Sequence, residues 1–380
     1  VQGVWDLARS PYLINNHITL DEGDTLTIEA GVEVNFLNYY HFYIKNNSKL
    51  SILGTASQPV KITAVNGYEE IWSHSNSSIL DIQYAHFSNG NSHCLRVHGL
   101  ANIQNSTFEN CEIGITIEIN AEVEVDSCMF KNNSSHGILL GSDSDGSDGI
   151  TNTLTNSFFT GNSSSIYASG NHSVISNCIV SDDEQYGIQI GGSYSNVDIS
   201  NCLITDNRYG IISQNGENSS LNRSISMSSI YNNELEAIRN HTPYTFSAQS
   251  NYWGEAVTQI IGENPGNNPQ ELDIFEDYFD NESYGLINYS NWLEAPSPTL
   301  PGQPSTINSL QLFSDALYEN EAPGWVSEED TLYIQITSDP TYIYAKTITG
   351  VNLKTSTSDF TGINIALMET NSSSGVWRGQ

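Results

Sequence analysis

Seven copies of one nine-residue phrase, spread between residues 82 and 233, constrain the fold of this chain more than any other sequence feature. The sixth position of each copy holds a large apolar residue, and successive anchors of this kind are 21 to 29 residues apart. The anchors are Phe87, Phe108, Phe130, Phe159, Val180, Ile204 and Ile230. A period in the twenties, with apolar, small and turn residues at fixed positions, is typical of a solenoid of stacked coils.

Three other positions of the phrase predict how each coil is built. An aliphatic residue stands five places before the anchor, a small residue two places before it, and Asn, Asp or Gly two places after it. Short β-branched and aromatic runs that end in such residues predict strands and tight turns. The aliphatic position and the anchor are an odd number of residues apart, so one straight strand would point them to opposite faces. We therefore expect a bend between them.

A second phrase, Gly-Ile followed by apolar residues, comes six or seven positions after four of the anchors, at Gly114, Gly137, Gly187 and Gly210. Together with the stretches at 10–36, 251–254 and 273–296, these motifs resemble the right-handed parallel β-helix repeat proteins of the pectate-lyase-like group, in their large secreted bacterial form. The resemblance covers about three quarters of the chain. It implies an all-β fold and an extracellular or cell-surface setting, and it does not imply a reaction.

The expected β-helix spans 1–295, with an N-terminal cap at about 1–24 and a C-terminal capping segment at about 251–295. Within the latter, residues 255–262 are predicted to form a short helix. A proline-rich linker follows at 296–305.

Beyond the linker, residues 306–380 alternate polar and apolar side chains, which predicts antiparallel strands. The predicted strands are at 332–336, 346–354 and 363–369. This segment resembles the start of an immunoglobulin-like β-sandwich. Such sandwiches need about 100 residues, so we expect this small C-terminal domain to be incomplete and the native chain to continue.

The charge composition bears on partners. Only 12 Lys and Arg oppose 44 Asp and Glu, for a formal net charge of −32. A surface of this kind repels nucleic acid and anionic lipid, so neither is an expected partner. No apolar run approaches the roughly 18 residues of a membrane span, and no signal peptide remains at the start of the sequence. A secreted protein whose leader has been removed fits these observations.

Three of the five cysteines, Cys128, Cys178 and Cys202, hold the small-residue position of their coils, which predicts that they are small core fillers. Cys178 and Cys202 lie one coil apart. Parallel side chains in a ladder seldom reach the dihedral angle of a disulfide, so we expect free thiols. No Cys or His spacing indicates zinc.

The strongest catalytic alternative is a set of side chains on neighbouring coils: Asp182, Asp183, Asp206 and Arg208. In polygalacturonase-like hydrolases, paired aspartates on adjacent coils act as general acid and as base. Asp182 and Asp206, however, hold the position that is Asn or Gly in the other copies, so a ladder of turns is the simpler interpretation. The companion motifs of that family, Gly-His-Gly and Arg-X-Lys, are absent. Arg208 could serve a uronate lyase, or pair with glutamates across coils, since Glu184 and Glu234 occupy its position in the flanking coils.

Two weaker acidic clusters stand outside the phrase. The insertion at 141–150 carries Asp143, Asp145 and Asp148 between glycines, and it resembles an oxygen-rich calcium loop. Leu154 replaces the glutamate that an EF-hand requires, so the loop either holds a structural Ca²⁺ or is simply solvated. The second cluster is Glu276, Asp277, Asp280 and Glu282.

The dense aromatic residues at 39–43 allow two interpretations, a platform for sugars or bulk for the core of an early coil. They are Tyr39, Tyr40, Phe42 and Tyr43.

Taken together, the sequence favours a non-catalytic secreted or cell-surface β-helix: a stalk, adhesin, matrix or filament component. Its faces would bind carbohydrate or protein, with self-association possible and calcium in a structural role. The alternative is a calcium-dependent polysaccharide lyase or a glycoside hydrolase that acts on acidic polysaccharide.

Overall fold

Three parallel β-sheets form the body of the protein, because each coil contributes one short strand to each sheet and successive coils pair in parallel. The computed structural model describes residues 1–296 apart from 65, 119, 142–149, 171, 193–194, 216–220, 264 and 266–268, and the backbone of five strands between 307 and 379. Two units result, Val1–Leu300 and Pro301–Gln380.

Sheet 1 contains the strands that begin each coil. Its described strands are Gly3–Trp5, Thr25–Glu29, Lys49–Leu53, Ile79–Gln83, Leu100–Gln104, Glu122–Asp126, Thr151–Thr155, His172–Ser176, Val197–Ser200, Arg223–Ser226, Phe246–Ser247 and Ile287–Asn288. Sheet 2 contains the strands with the anchors. Its described strands are Tyr12–Ile14, Glu33–Phe36, Val60–Ala64, Ala85–Ser88, Thr107–Glu109, Met129–Lys131, Phe158–Thr160, Ile179–Ser181, Leu203–Thr205 and Ser229–Tyr231.

Sheet 3 contains the strands that carry the Gly-Ile phrase. Its described strands are Ile18–Leu20, His41–Ile44, Glu70–Ser73, His93–Val97, Ile113–Ile117, His136–Leu140, Ser164–Ser169, Tyr186–Gly191, Tyr209–Ser213, Ile238–Asn240 and Phe275–Glu276. The close approach of neighbouring coils explains the glycines of this phrase. A Cβ on Gly114 would lie 2.4 Å from the carbonyl oxygen of Gly137 in the next coil, so the coils approach too closely for any side chain there.

The register places equivalent positions of the phrase directly above one another. The anchors pair in one continuous row of sheet 2, and the aliphatic residues five places earlier pair in one row of sheet 1. Both rows point inward and are buried, and the rings of Phe108, Phe130 and Phe159 stack at centroid distances of 5.3 and 4.6 Å. The predicted parallel β-helix is therefore confirmed.

Backbone at positive φ makes the bends of each coil. The residue three places before the anchor has φ between 47° and 54° in all seven copies, and it separates sheet 1 from sheet 2, which is the expected bend. The residue two places after the anchor also has positive φ in every copy, from 55° to 66°. Asn, Asp and Gly tolerate this left-handed conformation best, which explains why they recur there.

A disulfide and three buried thiols account for the cysteines. Cys94 and Cys111 form a disulfide between neighbouring coils, which the spacing of the cysteines did not predict. Cys128, Cys178 and Cys202 are free and buried in the small-residue row, as expected.

The described helices are a 3₁₀ turn at Leu7–Arg9 and an α-helix at Glu255–Glu263, where a short helix was predicted. Among the described residues, none of the helices has both the length and the apolar character needed to cross a membrane.

In the second unit, the described strands form an antiparallel sheet in the order first, second, fifth, fourth, third. These strands are Ile307–Phe313, Tyr333–Ser338, Thr347–Leu353, Ile363–Glu369 and Val376–Gly379. The incomplete immunoglobulin-like sandwich remains a prediction.

Candidate functional site

The structure keeps Asp182 and Asp206 on the surface of neighbouring coils and buries Asp183. Asp182 is exposed at a left-handed turn (φ 60°), and its Oδ2 accepts hydrogen bonds from Thr160 and Ser181. Asp206 has the same conformation one coil later, with a hydrogen bond from Thr205. Asp183 instead points into the core and is only 4% exposed. Asp183 therefore exposes very little of its side chain to the groove that Asp182 and Asp206 line.

Arg208 lies in the same shallow acidic groove as these turns, between Glu184 and Glu234 of the flanking coils. Its guanidinium is 5.5 Å from the centroid of the Tyr209 ring. Among the described side chains, no ion pair joins Arg208 to either glutamate, so the row is stacked as expected without the expected charge pairing.

Of the two weaker acidic clusters, the structure describes only the second. Asp143, Asp145 and Asp148 lie at 142–149, outside the described residues, so the calcium loop stays a prediction. In the second cluster, Asp277 is buried and accepts hydrogen bonds from the backbone N–H groups of Phe279 (3.0 Å) and Ile287 (2.9 Å). Glu276 forms an ion pair with Arg239 and lies 3.1 Å from His241. These contacts give Asp277 and Glu276 structural roles at the last coils.

A different surface brings together chemically capable side chains, on the outward side of sheet 3 in its first coils. The outward row there is Thr19, Tyr43, Trp72, Arg96 and Thr116, each paired with the next. We call the surrounding surface the histidine–aromatic face. It consists of His17, His41, Tyr43, Glu70, Trp72, His74, His93, Arg96 and His98. Five of the nine histidines of the chain are thus on one patch.

Rings in this face contact one another from coil to coil. The ring of His41 stacks on Tyr43 at 4.9 Å, and Tyr43 lies 5.3 Å from His74 and 6.2 Å from Trp72. Tyr43 and Trp72 are partly exposed, whereas the neighbouring Phe42 is buried in the core. The structure therefore resolves the two interpretations of the aromatic segment: Phe42 is core, and Tyr43 is surface. A groove along these rings is lined by Thr19, Glu22, Tyr43, Lys45, Asn46, Trp72 and His74.

Glu70 is the charged centre of the face and is 6% exposed. Its two carboxylate oxygens lie 3.5 Å from Nδ1 of His41 and 3.4 Å from Nδ1 of His93, and Arg96 approaches to 3.9 Å. Burial by itself would raise the pKa of Glu70, but His93, Arg96 and His41 together lower it below its usual value. Glu70 is therefore an anion at neutral pH.

Burial lowers the pKa of both His74 and His98, so these two imidazoles are neutral at pH 7. They hold equivalent positions on neighbouring coils, two residues beyond the paired Trp72 and Arg96. Nε2 of His98 and Nε1 of Trp72 have no hydrogen-bond partner among the described residues.

Sequence reasoning found only the aromatic part of this face. The coils before residue 82 lack the repeated phrase, so their outward positions could not be aligned with later coils. The available signal was the recurrence of histidine at His17, His41, His74 and His98, at roughly the length of one coil.

A metal site does not emerge from the described geometry. The described residues contain no group of three or more His, Cys, Asp or Glu side chains arranged to hold a metal ion. In the face, the carboxylate of Glu70 lies between the imidazoles of His41 and His93. The three free thiols are buried in the core.

Comparison with protein-family models finds one match, over residues 54–267: NosD, described as a periplasmic copper-binding protein. This match includes all seven copies of the phrase and most of the histidine–aromatic face. A search of curated protein sequences finds no significant relative.

Among solved structures, the chain resembles the catalytic domain of a GH87 alpha-1,3-glucanase in complex with tetrasaccharides, with 13% identity, a TM-score of 0.43, and coverage of 77% of this chain and 63% of that domain. It also resembles the pectate lyase Pel9A, with 10% identity, a TM-score of 0.32, and coverage of 64% of this chain and 77% of that one. A third is an alginate lyase from Paenibacillus sp. str. FPU-7, with 15% identity, a TM-score of 0.29, and coverage of 74% of this chain and 99% of that one.

Proposed function

This chain belongs to the NosD family, and from that premise we propose that it is a non-catalytic binding protein of the cell envelope that holds a saccharide chain on its histidine–aromatic face. The observation that carries the proposal is the outward row Tyr43–Trp72–Arg96 on three successive coils. Aromatic rings offer an apolar platform and their neighbours offer hydrogen bonds, which is the combination that small-molecule sites use.

The polar groups around the rings suit a neutral, hydroxyl-rich ligand. His74 and His98 are neutral at pH 7, Glu70 is an anion, and Lys45 and Asn46 line the same groove. Hydroxyl groups both donate and accept hydrogen bonds, so they match this mixture of donors and acceptors.

The non-catalytic part of the proposal rests on the conformational roles of the three aspartates. Hydrolysis of a glycosidic bond uses two carboxyl groups that flank one bond. Asp182 and Asp206 both line one exposed groove, but they hold the left-handed turn position that Asn or Gly fills in the other copies, and Asp183 is buried. The envelope setting is supported by the family's periplasmic description and by the disulfide, since disulfides persist in oxidising compartments.

Electrophoresis through gels that contain a soluble neutral or acidic polysaccharide tests the binding proposal. We expect retardation of the wild-type chain by at least one polysaccharide, and about a tenfold or larger loss of affinity in Trp72→Ala, as for an aromatic anchor. Tyr167→Ala is the matched control, because Tyr167 lies in the same outward row several coils away. Equal retardation of Trp72→Ala and the control would overturn the assignment of the face. New reducing ends or unsaturated uronates in the same mixtures would contradict the absence of catalysis.

A second candidate is copper capture, which the family description and the two neutral imidazoles of His74 and His98 favour. Imidazole nitrogen is a good copper ligand, but the described residues provide no third donor for this pair. Titration with Cu²⁺, followed by tryptophan fluorescence, would support this candidate if His98→Gln binds at least about tenfold more weakly while His172→Gln, on sheet 1, binds normally. No binding, or equal binding by both variants, would exclude copper from this face.

A further inference from the structure

Asp183 is a carboxylic side chain in a buried ladder of asparagine amides. The ladder occupies the position three places after the anchor, and its members are Asn133, Asn162, Asp183, Asn207 and Asn233. The backbone N–H of each member except the last, Asn233, donates to the side-chain Oδ1 of the member one coil later. For Asn162 to Asp183 this hydrogen bond is 3.0 Å, and for Asp183 to Asn207 it is 3.1 Å.

Each described asparagine of this ladder also donates from Nδ2 to the anchor carbonyl of the preceding coil. Asn162 donates to Phe130 at 3.2 Å, Asn207 donates to Val180 at 3.1 Å, and Asn233 donates to Ile204 at 3.3 Å. The same register assigns the carbonyl of Phe159 to position 183. An ionised carboxylate has no proton to give to this carbonyl.

The second carboxyl oxygen of Asp183, Oδ2, takes no part in the hydrogen bonds of the ladder. Oδ2 is buried, and although Ser165 is near enough to influence the carboxyl, Oδ2 has no hydrogen-bond partner among the described residues. A buried polar atom without a partner costs about 1–3 kcal/mol, and a buried charge costs more. A proton on Oδ2 removes both costs, because it supplies the donor that Nδ2 supplies in the other members.

The negative charges around Asp183 also oppose ionisation, and of the neighbours named here only the cation of Arg208 favours it. Asp182 and Glu184 flank it in its own turn, and Asp206 and Arg208 face it from the turn of the next coil. The turn of the preceding coil, residues 161–163, carries no charge. Burial raises the pKa of Asp183 to about 8, with Asp182 acting in the same direction, whereas the nearby Ser165 and the hydrogen bond from the backbone N–H of Asn162 act against it.

We propose that Asp183 is a neutral carboxylic acid in the folded protein, that its Oδ2–H completes the asparagine ladder, and that loss of this proton loosens the stacking of the coil at residues 172–191 on its neighbours. The coil at residues 172–191 is thereby stacked tightly on its neighbours at acidic to neutral pH and less tightly at alkaline pH. The proton is taken from water on folding and returned to water on ionisation, so no other reactant is needed.

The sign of the pH dependence follows from linkage. The carboxyl binds its proton more tightly in the folded chain than in the unfolded chain, where the pKa of aspartate is about 3.9. Its stabilising contribution is therefore complete below about pH 4 and is lost as pH rises toward about 8. Above that pH both states are ionised, and the loss levels off.

Urea unfolding of the full chain between pH 5 and pH 9 tests the proposal with Asp183→Asn, which replaces the proton by a permanent N–H. We expect the ratio of the wild-type unfolding constant to that of the variant to rise by about tenfold per pH unit and to level off near pH 8. Glu122→Gln is the control, because its carboxylate is exposed and lies outside the turns around Asp183, so its ratio to wild type should stay flat. A flat ratio for Asp183→Asn as well would overturn the proposal.

Infrared difference spectroscopy gives a second measurement that does not depend on stability. At pH 7 the folded wild-type chain should show the C=O stretch of a protonated carboxylic acid, and Asp183→Asn should lack it. Absence of that band from the wild-type spectrum would contradict the proposal.

Discussion

The guanidinium of Arg96 lies 4.6 Å from the centroid of the Trp72 ring, on the adjacent coil and in the same outward row of sheet 3. The same guanidinium forms an ion pair with Glu118 and lies 3.9 Å from Glu70. Arg96 therefore holds the indole and the carboxylates of the histidine–aromatic face in one fixed arrangement.

Replacement of Arg96 by methionine should weaken saccharide binding without unfolding the coil. A cation over an exposed ring contributes about 0.5–1 kcal/mol, so we expect a loss of roughly twofold to fivefold in affinity. Gel retardation in a polysaccharide that the wild type binds is the measurement. Arg239→Met serves as the control, since Arg239 lies over Tyr209 at 4.7 Å outside the face. Unchanged affinity in Arg96→Met would show that the guanidinium beside the indole does not contribute to saccharide binding.

Glu70→Gln should destabilise the protein at neutral pH and much less in acid. The pKa of Glu70 is lowered, so its stabilising contribution is present above the unfolded pKa of about 4.3 and is lost as pH falls through the folded value. We expect a cost of about 1–3 kcal/mol at pH 7, because a charged hydrogen-bonding group is removed from a buried position. Urea unfolding at pH 7 and pH 3.5 measures the difference, with Glu122→Gln, an exposed site, as the control. A pH-independent cost would contradict this role for the charge.

Substitutions at Asp206 should follow the tolerance of each residue for positive φ. Its φ of 57° suits Asn and Gly, so Asp206→Asn and Asp206→Gly should leave the free energy of unfolding nearly unchanged. Asp206→Val should cost about 1–2 kcal/mol, because a β-branched side chain is strained in the left-handed region. Thermal unfolding of the three variants provides the test. If Asp206→Val is as stable as Asp206→Asn, the left-handed backbone conformation does not determine which residues are tolerated at this turn.

Removal of the disulfide should destabilise the early coils. The bond joins Cys94 to Cys111 across a sequence separation of 17, and cross-links of this loop length contribute about 3 kcal/mol. We expect a loss of roughly that size in the double variant Cys94→Ala/Cys111→Ala, measured by urea unfolding. Cys128→Ser is a fitting control, since serine occupies the same small-residue position in neighbouring coils at Ser106 and Ser157. Equal stability of the double variant and wild type would contradict a stabilising cross-link.

Much of the architecture was predictable because the phrase repeats. A position that recurs once per coil must lie above its counterparts, so the buried rows of Phe130 and Ile103 and the turns at Asp182 and Asp206 followed from their spacing. The small-residue position likewise predicted the buried thiols of Cys178 and Cys202.

The candidate site was less predictable, for reasons that particular residues make clear. Asp182 and Asp183 are adjacent in sequence, yet one faces solvent and the other completes a buried ladder, and only the backbone conformation at the turn separates them. Cys94 and Cys111 occupy unrelated positions of the repeat, so their approach depends on how two coils stack.

The sequence by itself determined that this chain stacks short strands into a parallel β-helix, because stacking is the way in which coils of this length bury their apolar rows. The tertiary structure decided which polar side chains meet. Trp72 and Arg96 are 24 residues apart and lie outside the copies of the repeated phrase, and they become neighbours only through the register of sheet 3. Local pattern controls which side chains turn inward, whereas contacts across the outer surface depend on the three-dimensional alignment of whole coils.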